Sequence, residues 1–238
     1  MAIKKYFSIA DTTISNALDQ SLLTENSATG SNMGASDILE VFRLYAQLSS
    51  STGLSSELSR VLLQFNTTNI ASDRTATNIP VSGNVSFYLK MYNARHSSTL
   101  PQNFTLTVSA VSQSWEVGNG LDMENYTDKT FQKTGSTWGS RGSSGTWNSA
   151  GGDYHSKRNF NQTFQEGYED LEVDVTDLVE QWLAGTKDNY GFGVALTASL
   201  EGENKSHYTK KFFARGTEFY YKRPVLEARW DDSTQDDR

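Results

Sequence analysis

Apolar residues recur at every second position over long stretches of this chain, and that period constrains the fold more than any other feature. In "NVSFYLKMYN" (84–93), Val85, Phe87, Leu89 and Met91 fall on one side, with Ser86, Tyr88, Lys90 and Tyr92 opposite. "NFTLTVSAVSQSW" (103–115) repeats the device with Phe104, Leu106, Val108 and Ala110, and "DLEVDV" (170–175) with Leu171, Val173 and Val175. Side chains alternate faces along an extended backbone, so this pattern marks half-buried strands of an antiparallel sheet. "SRVLLQFN" (59–66) is continuously apolar at its centre and predicts a strand covered on both faces. "YGFGVALTASL" (190–200) and "RPVLEARW" (223–230) read as further strands, and "SDILEVFRLYAQLS" (36–49), ambiguous in period, as strand or extended insertion. The expectation is an all-β fold, an antiparallel β-sandwich of jelly-roll type with one short accessory helix.

That helix is "DLVEQWLAG", where Leu178, Val179, Trp182 and Leu183 follow a helical spacing. Asp177 and Glu180 resemble a capping box, and Gly185 stands where a left-handed residue ends a helix. Trp182 is expected to plug the helix onto the sandwich, and Tyr190 and Phe192 to begin the strand after it. The stretch 132–152 is dense in Gly and Ser, and its Trp138 and Trp147 predict a loop folded down onto the body. Residues 1–230 are expected to form a single domain, and 231–238 an acidic tail without apolar anchors.

Composition removes several chemistries. With no cysteine among 238 residues, disulfides, thiol catalysis and Cys-ligated zinc are excluded. A net charge of −7 argues against nucleic acid, and no apolar run reaches the length of a membrane span. "MAIKKYFSIADTTISN" lacks an apolar core behind its lysines and reads as mature sequence, which points to folding in a cytosol.

Motif-level chemistry is equally sparse. Gly191-Phe192-Gly193 follows a helix and opens a strand, the reverse of a dinucleotide loop, and reads as close backbone packing. His96, His155 and His207 sit among polar neighbours without zinc-site spacing and read as surface residues. "GSTWG" (135–139) carries threonine where a serine nucleophile would stand. Paired carboxylates such as Glu169/Asp170 and Asp122/Glu124 suit a glycosidase or calcium only if space brings them together, and Glu172 and Asp174 read as a wet strand face. Lys210, Lys211, Arg215, Lys222 and Arg223 are interleaved with aromatics in "YTKKFFARGTEFYYKRP" (208–224), a basic-aromatic surface in one reading. In the other, Phe212, Phe213, Phe219, Tyr220 and Tyr221 are core and interface aromatics, and the negative net charge favours that. No metal or cofactor is expected.

Several of these stretches, taken in order, resemble the DNRLRE-type domain and the related alginate-binding modules. They are "ADTTISN", "ELSRVLLQFN", "VSFYLKMYNA", "TLTVSAVSQSWEVGNG", "LEVDVTDLVEQWLAGTKDNYGFGVAL" and "KKFFARGTEFYYKRPVLEARW". Arg60, Phe65, Trp182, Gly185, Asn189, Tyr190, Gly191, Phe192, Arg215, Arg223, Pro224 and Leu226 occupy the family's positions. Gly216 replaces the acidic residue that follows the family's arginine, and 21–58 is longer than the minimal module, which implies an insertion.

The opening "MAIKKYFSIADTTI" is similar to structural proteins of T4-related marine phages, including cyanophages. The resemblances imply a non-enzymatic virion component, assembled in a bacterial cytoplasm as a homo-oligomer or symmetric array and contacting other virion proteins. Residues 3–9 are expected to add a strand to a neighbour. The alternative they imply is a carbohydrate-binding module recognising a surface glycan, with Trp115, Trp138, Trp147 or Tyr154 as stacking platforms.

Overall fold

A computed structural model describes residues 1–18, 31–50, 53–96, 100–121, 135–143 and 145–233. The strands are β1 (Ala2–Phe7), β2 (Ala10–Ser15), β3 (Ile38–Ser50), β4 (Gly53–Gln64), β5 (Ser86–Met91), β6 (Phe104–Val111), β7 (Tyr154–Phe164), β8 (Leu171–Asp174), β9 (Phe192–Leu196), β10 (His207–Phe213) and β11 (Val225–Trp230). Three helices join them: α1 (Thr67–Thr75), α2 (Thr176–Leu183) and α3 (Ala198–Glu201). All strand pairs are antiparallel. One sheet runs β1-β11-β5-β8; the larger runs β10-β3-β4-β9-β6-β7, with β2 also paired to β4. The molecule is the expected antiparallel β-sandwich.

Alternation decides which side chains enter the core. Phe87, Leu89 and Met91 of β5, Phe104, Leu106, Val108 and Ala110 of β6, and Leu171 and Val173 of β8 all lie inside one apolar cluster. Phe104 and Phe164 are register partners on β6 and β7, and their rings stack at 5.1 Å. The ambiguous segment 36–49 is strand, and β4 is shared. Its first half pairs with β3 from Arg43↔Leu58 to Ser50↔Gly53, while its second half pairs with β2 and β9. Side chains complete the ladder near β2: Thr13 Oγ1 accepts from Glu40 N at 3.0 Å, and Ser59 Oγ donates to Glu40 O at 2.9 Å.

The centre of β4 is buried on both faces, as its unbroken apolar run predicts. Val61 and Leu63 join the main core, whereas Leu62 joins a second cluster with Ile14, Val111, Trp115, Trp138 and Trp147. The Gly/Ser-rich loop, over its described residues, therefore forms an extra layer on the larger sheet. Its backbone is pinned by polar groups. Asp153 accepts from Asn148 N (2.8 Å), Ser149 N (2.9 Å) and Gln113 Nε2 (2.7 Å). Asn32, fully buried, donates to the carbonyls of Val117 (2.9 Å) and Ser136 (2.8 Å) and accepts from Gly34 N and Gly120 N.

Two sequence expectations about helices are corrected. Among the described residues there are three helices rather than one accessory helix. In α1 only Ile70 is buried, so no apolar stripe announces it. It is held instead by the Asn66 cap on Thr68 N (2.9 Å) and by the paired contacts of Arg74 with Glu180 on α2 (2.9 and 2.6 Å). The second correction concerns the start of α2, where Val175, not Asp177, is the N-cap. Val175 is a buried core residue continuing the β8 alternation, so a strand position occupies the cap slot. The other end is as read: Gly185 has φ 68°, and Leu178, Val179 and Trp182 are buried.

Trp182 lies edge-on to Phe192 at 4.8 Å, and Phe192 contacts Phe65 at 5.9 Å, so α2 and the larger sheet meet through three rings. Trp182→Ala is expected to lower unfolding free energy by about 3–5 kcal/mol, as large-to-small core truncations do. Urea denaturation measures this, and an unshifted midpoint would contradict the placement.

Candidate functional site

The connection between β10 and β11 carries three consecutive exposed rings. Ala214 N bonds Asp37 O at 2.9 Å, Phe219 N bonds Thr217 Oγ1 at 3.3 Å, and Lys222 N bonds Phe219 O at 2.8 Å. These bonds tighten residues 220–222 into a 3₁₀ turn, which turns consecutive side chains outward. Phe219, Tyr220 and Tyr221 are 51%, 49% and 76% exposed. Tyr220 contacts Tyr221 at 5.3 Å and Phe7 of β1 at 4.7 Å, and Phe219 meets Phe213 at 5.5 Å. Cations brace the rings: Lys222 Nζ lies 4.9 Å from the Phe213 centroid, and the Arg223 guanidinium 5.1 Å from that of Tyr220. The exposed Ile9 follows Phe7 by two residues.

This corner stands on a buried carboxylate. Asp11 is 1% exposed and accepts from Arg215 N (2.7 Å) and Ser8 Oγ (3.2 Å); Arg215 Nε lies 3.6 Å from its second oxygen. Arg215 also donates to Gly34 O at 3.0 Å, and Arg223 to Thr217 O at 3.4 Å. Burial pushes the Asp11 carboxyl up to about 6, against the opposing pull of the Arg215 amide and the Arg215 and Arg223 charges. The two arginines read from the sequence as structural thus converge on one acid.

The four expected sugar platforms lie elsewhere. Trp115, Trp138 and Trp147 are only 8%, 8% and 5% exposed, packed in the second core, and Tyr154 packs against them with its hydroxyl on Gly151 O at 2.8 Å. Their indole N–H groups are spent internally, Trp115 on Tyr190 O (2.8 Å) and Trp147 on Thr137 O (3.0 Å). The stacking-platform expectation is corrected at these residues, because rings that cover Leu62 have no free face.

Arg60 adds to the closure, with paired contacts to Glu201 (2.9 and 2.7 Å) and its guanidinium over Trp138 and Tyr154. Residues 2–7 form β1 at the edge of the chain's own small sheet, paired on one side with β11 from Ala2↔Trp230 to Phe7↔Val225.

Other titratable groups are engaged in structure. His96 faces Thr209 O (3.0 Å) and Asn93 Oδ1 (2.7 Å), and His207 faces Glu203 (3.4 Å). Glu172 is pulled down to about 2 by Arg229 (2.6 Å) and Lys90 (3.1 Å) on the outer side of the small sheet. Arg229 also stacks on Tyr88 at 4.2 Å, within the lining of an open groove of about 800 Å³ with Met1 and Trp230. Asp122 and Glu124 lie outside the described residues. Lys210, grouped by sequence with the exposed cations, is buried. Its position follows from β10 itself, since Lys210 and Phe212 share one face of the strand.

No model of a known protein family matches the chain, and no curated protein matches it either.

The raised Asp11 value has a testable sign. The folded state holds this proton more tightly than the unfolded chain, so the contribution is complete below the unfolded value of 3.8 and is lost as pH rises through about 6. Asn does not titrate. The stability of the native chain relative to Asp11→Asn is expected to fall by about 2 kcal/mol between about pH 4 and about pH 7. Urea titrations across that range measure it; a pH-independent difference would show that Asp11 ionises as freely folded as unfolded.

Proposed function

We propose that this chain is a non-enzymatic structural component of a tailed-phage virion, docking onto other virion proteins through the Phe219–Tyr221 corner. The observation that carries the reading is three neighbouring aromatic side chains, each about half exposed or more, on a turn already braced by cations and a buried acid. Interfaces concentrate their energy in Tyr, Phe, Trp and Arg anchors. A turn ordered before binding also loses little entropy on association. The resemblance to DNRLRE-type domains and to marine phage structural proteins supports the same reading. Assembly in the bacterial host cytoplasm, and repetition as a symmetric array that multiplies weak contacts, belong to this proposal.

A glycan is the second reading, moved from the buried tryptophans to Tyr220 and Tyr221, whose rings keep exposed area beside Lys222 and Arg223. The two separate by experiment. Mass spectrometry of purified particles should find the chain with other virion proteins. Tyr220→Ser/Tyr221→Ser should fold normally yet lose incorporation, at about 2 kcal/mol per ring or roughly thirtyfold in dissociation constant. Undiminished incorporation would remove the corner from the interface, and saturable polysaccharide binding lost in the double variant would favour the glycan.

A further inference from the structure

We propose that Lys210 and Asn93 are the two halves of an intramolecular isopeptide bond formed by the folded chain itself. Lys210 is 1% exposed, and no carboxylate among the described residues forms an ion pair with it. Its Nζ lies 2.6 Å from Asn93 Oδ1, 2.8 Å from Gly167 O and 2.7 Å from Glu169 O. The rings of Phe164 and Phe212 stand 4.9 and 5.0 Å from it. Asn93 is held by its backbone bridge to Phe212 and by its N–H on Asp170 Oδ1 at 2.8 Å. Nucleophile and amide therefore meet in a site walled by aromatic rings, on strands fixed by their own pairing.

The surroundings ease formation of the neutral amine, which is the reactive form. Burial pulls the Lys210 ammonium down to about 8, against the weaker pull of the Glu169 and Asp170 charges. Once one proton has left, the two remaining N–H bonds have acceptors in Gly167 O and Glu169 O. The lone pair then takes the third direction, which faces Asn93 Oδ1, and a turn of the carboxamide about its Cβ–Cγ bond is what brings Cγ onto it. His96 supplies the matching donor. Both of its ring nitrogens face oxygens, Thr209 O and Asn93 Oδ1; burial and the Lys210 charge hold the imidazole below its ordinary value, and the part due to Lys210 is lifted once that amine is neutral.

The chemistry balances without oxidant or cofactor. Lys210 Nζ forms a bond to Asn93 Cγ, and the carbonyl electron pair moves onto Oδ1, where the His96 Nε2–H stabilises it. A proton passes from the attacking nitrogen to Nδ2. The Cγ–Nδ2 bond then breaks as the carbonyl re-forms, releasing one ammonia. The product joins the end of β5, in the small sheet, to β10, in the larger one, across 117 positions of a chain that has no cysteine.

Intact-mass measurement of the purified chain decides the matter without any variant. The expected result is a mass lower by one ammonia, with the Lys210 and Asn93 peptides recovered joined. The unjoined fraction should react faster as pH rises toward about 8, with the amine population. Asn93→Ala and Lys210→Arg should each restore the full mass, and His96→Ala should slow the reaction while leaving the product the same. Full mass after prolonged incubation above that pH would overturn the proposal. So would ammonia loss with the two peptides still separate, the mark of a cyclised asparagine elsewhere.

Discussion

Val61, Leu62 and Leu63 stand side by side on a central strand, fully buried, and that demand organises the molecule. Neighbouring residues of a strand point to opposite faces, so three in a row require both faces to be dry. The core between the sheets meets Val61 and Leu63, with Trp182 of α2 and Phe192 of β9 in the same cluster. Leu62 is met by Trp115, Trp138 and Trp147 on segments that form almost no regular ladder. Backbone brought into a dry layer without a ladder must find other hydrogen bonds. Asn32, Asp153 and Arg60 supply them, which explains why polar side chains sit deep beside a tryptophan cluster.

Several buried charged groups tie a connection to a strand. Arg43 of β3 holds the carbonyls of Glu201 and Glu203 where α3 ends. Arg60 of β4 grips Glu201 and Gly151 O, and Asp11 of β2 receives the Arg215 amide. Burying a charge is costly unless it is paired and hydrogen-bonded, so these contacts are also points where the fold tolerates little change. Their common result is rigid connections on which the aromatic corner is presented ready-made. Lys210 stands apart, because its hydrogen-bond acceptors are a side-chain amide and two backbone carbonyls rather than a carboxylate. Its cation gains dipoles and ring faces, and among the described residues Glu169 and Asp170 attract it without an ion-pair contact, which leaves the amine chemically available.

The alternation of apolar residues was enough to place β5, β6 and β8 and to say which of their side chains are internal, because the period of a strand is a local property. The same holds for the doubly buried centre of β4 and for Gly185, whose φ of 68° follows from how a helix ends. Asp177 failed as a cap because the position before the helix was claimed by Val175, a core residue of the preceding strand pattern. Helix α1 was silent because a long-range ion pair and a single cap, not an apolar stripe, hold it. The stacking-platform reading of the three tryptophans and the exposed-cation reading of Lys210 failed for one reason. A tryptophan in a Gly/Ser loop and a lysine beside phenylalanines have the same sequence signature whether they face water or a core.

By itself, then, the sequence determined the class of fold, the inward faces of its strands and the end of its main helix, all governed by contacts between near neighbours. Only the tertiary structure decided that the loop tryptophans cover Leu62 with no face left for a ligand, that Phe219, Tyr220 and Tyr221 stay outside, and that Lys210 meets Asn93. Those outcomes depend on which distant segments arrive to cover a surface, and no local period records that.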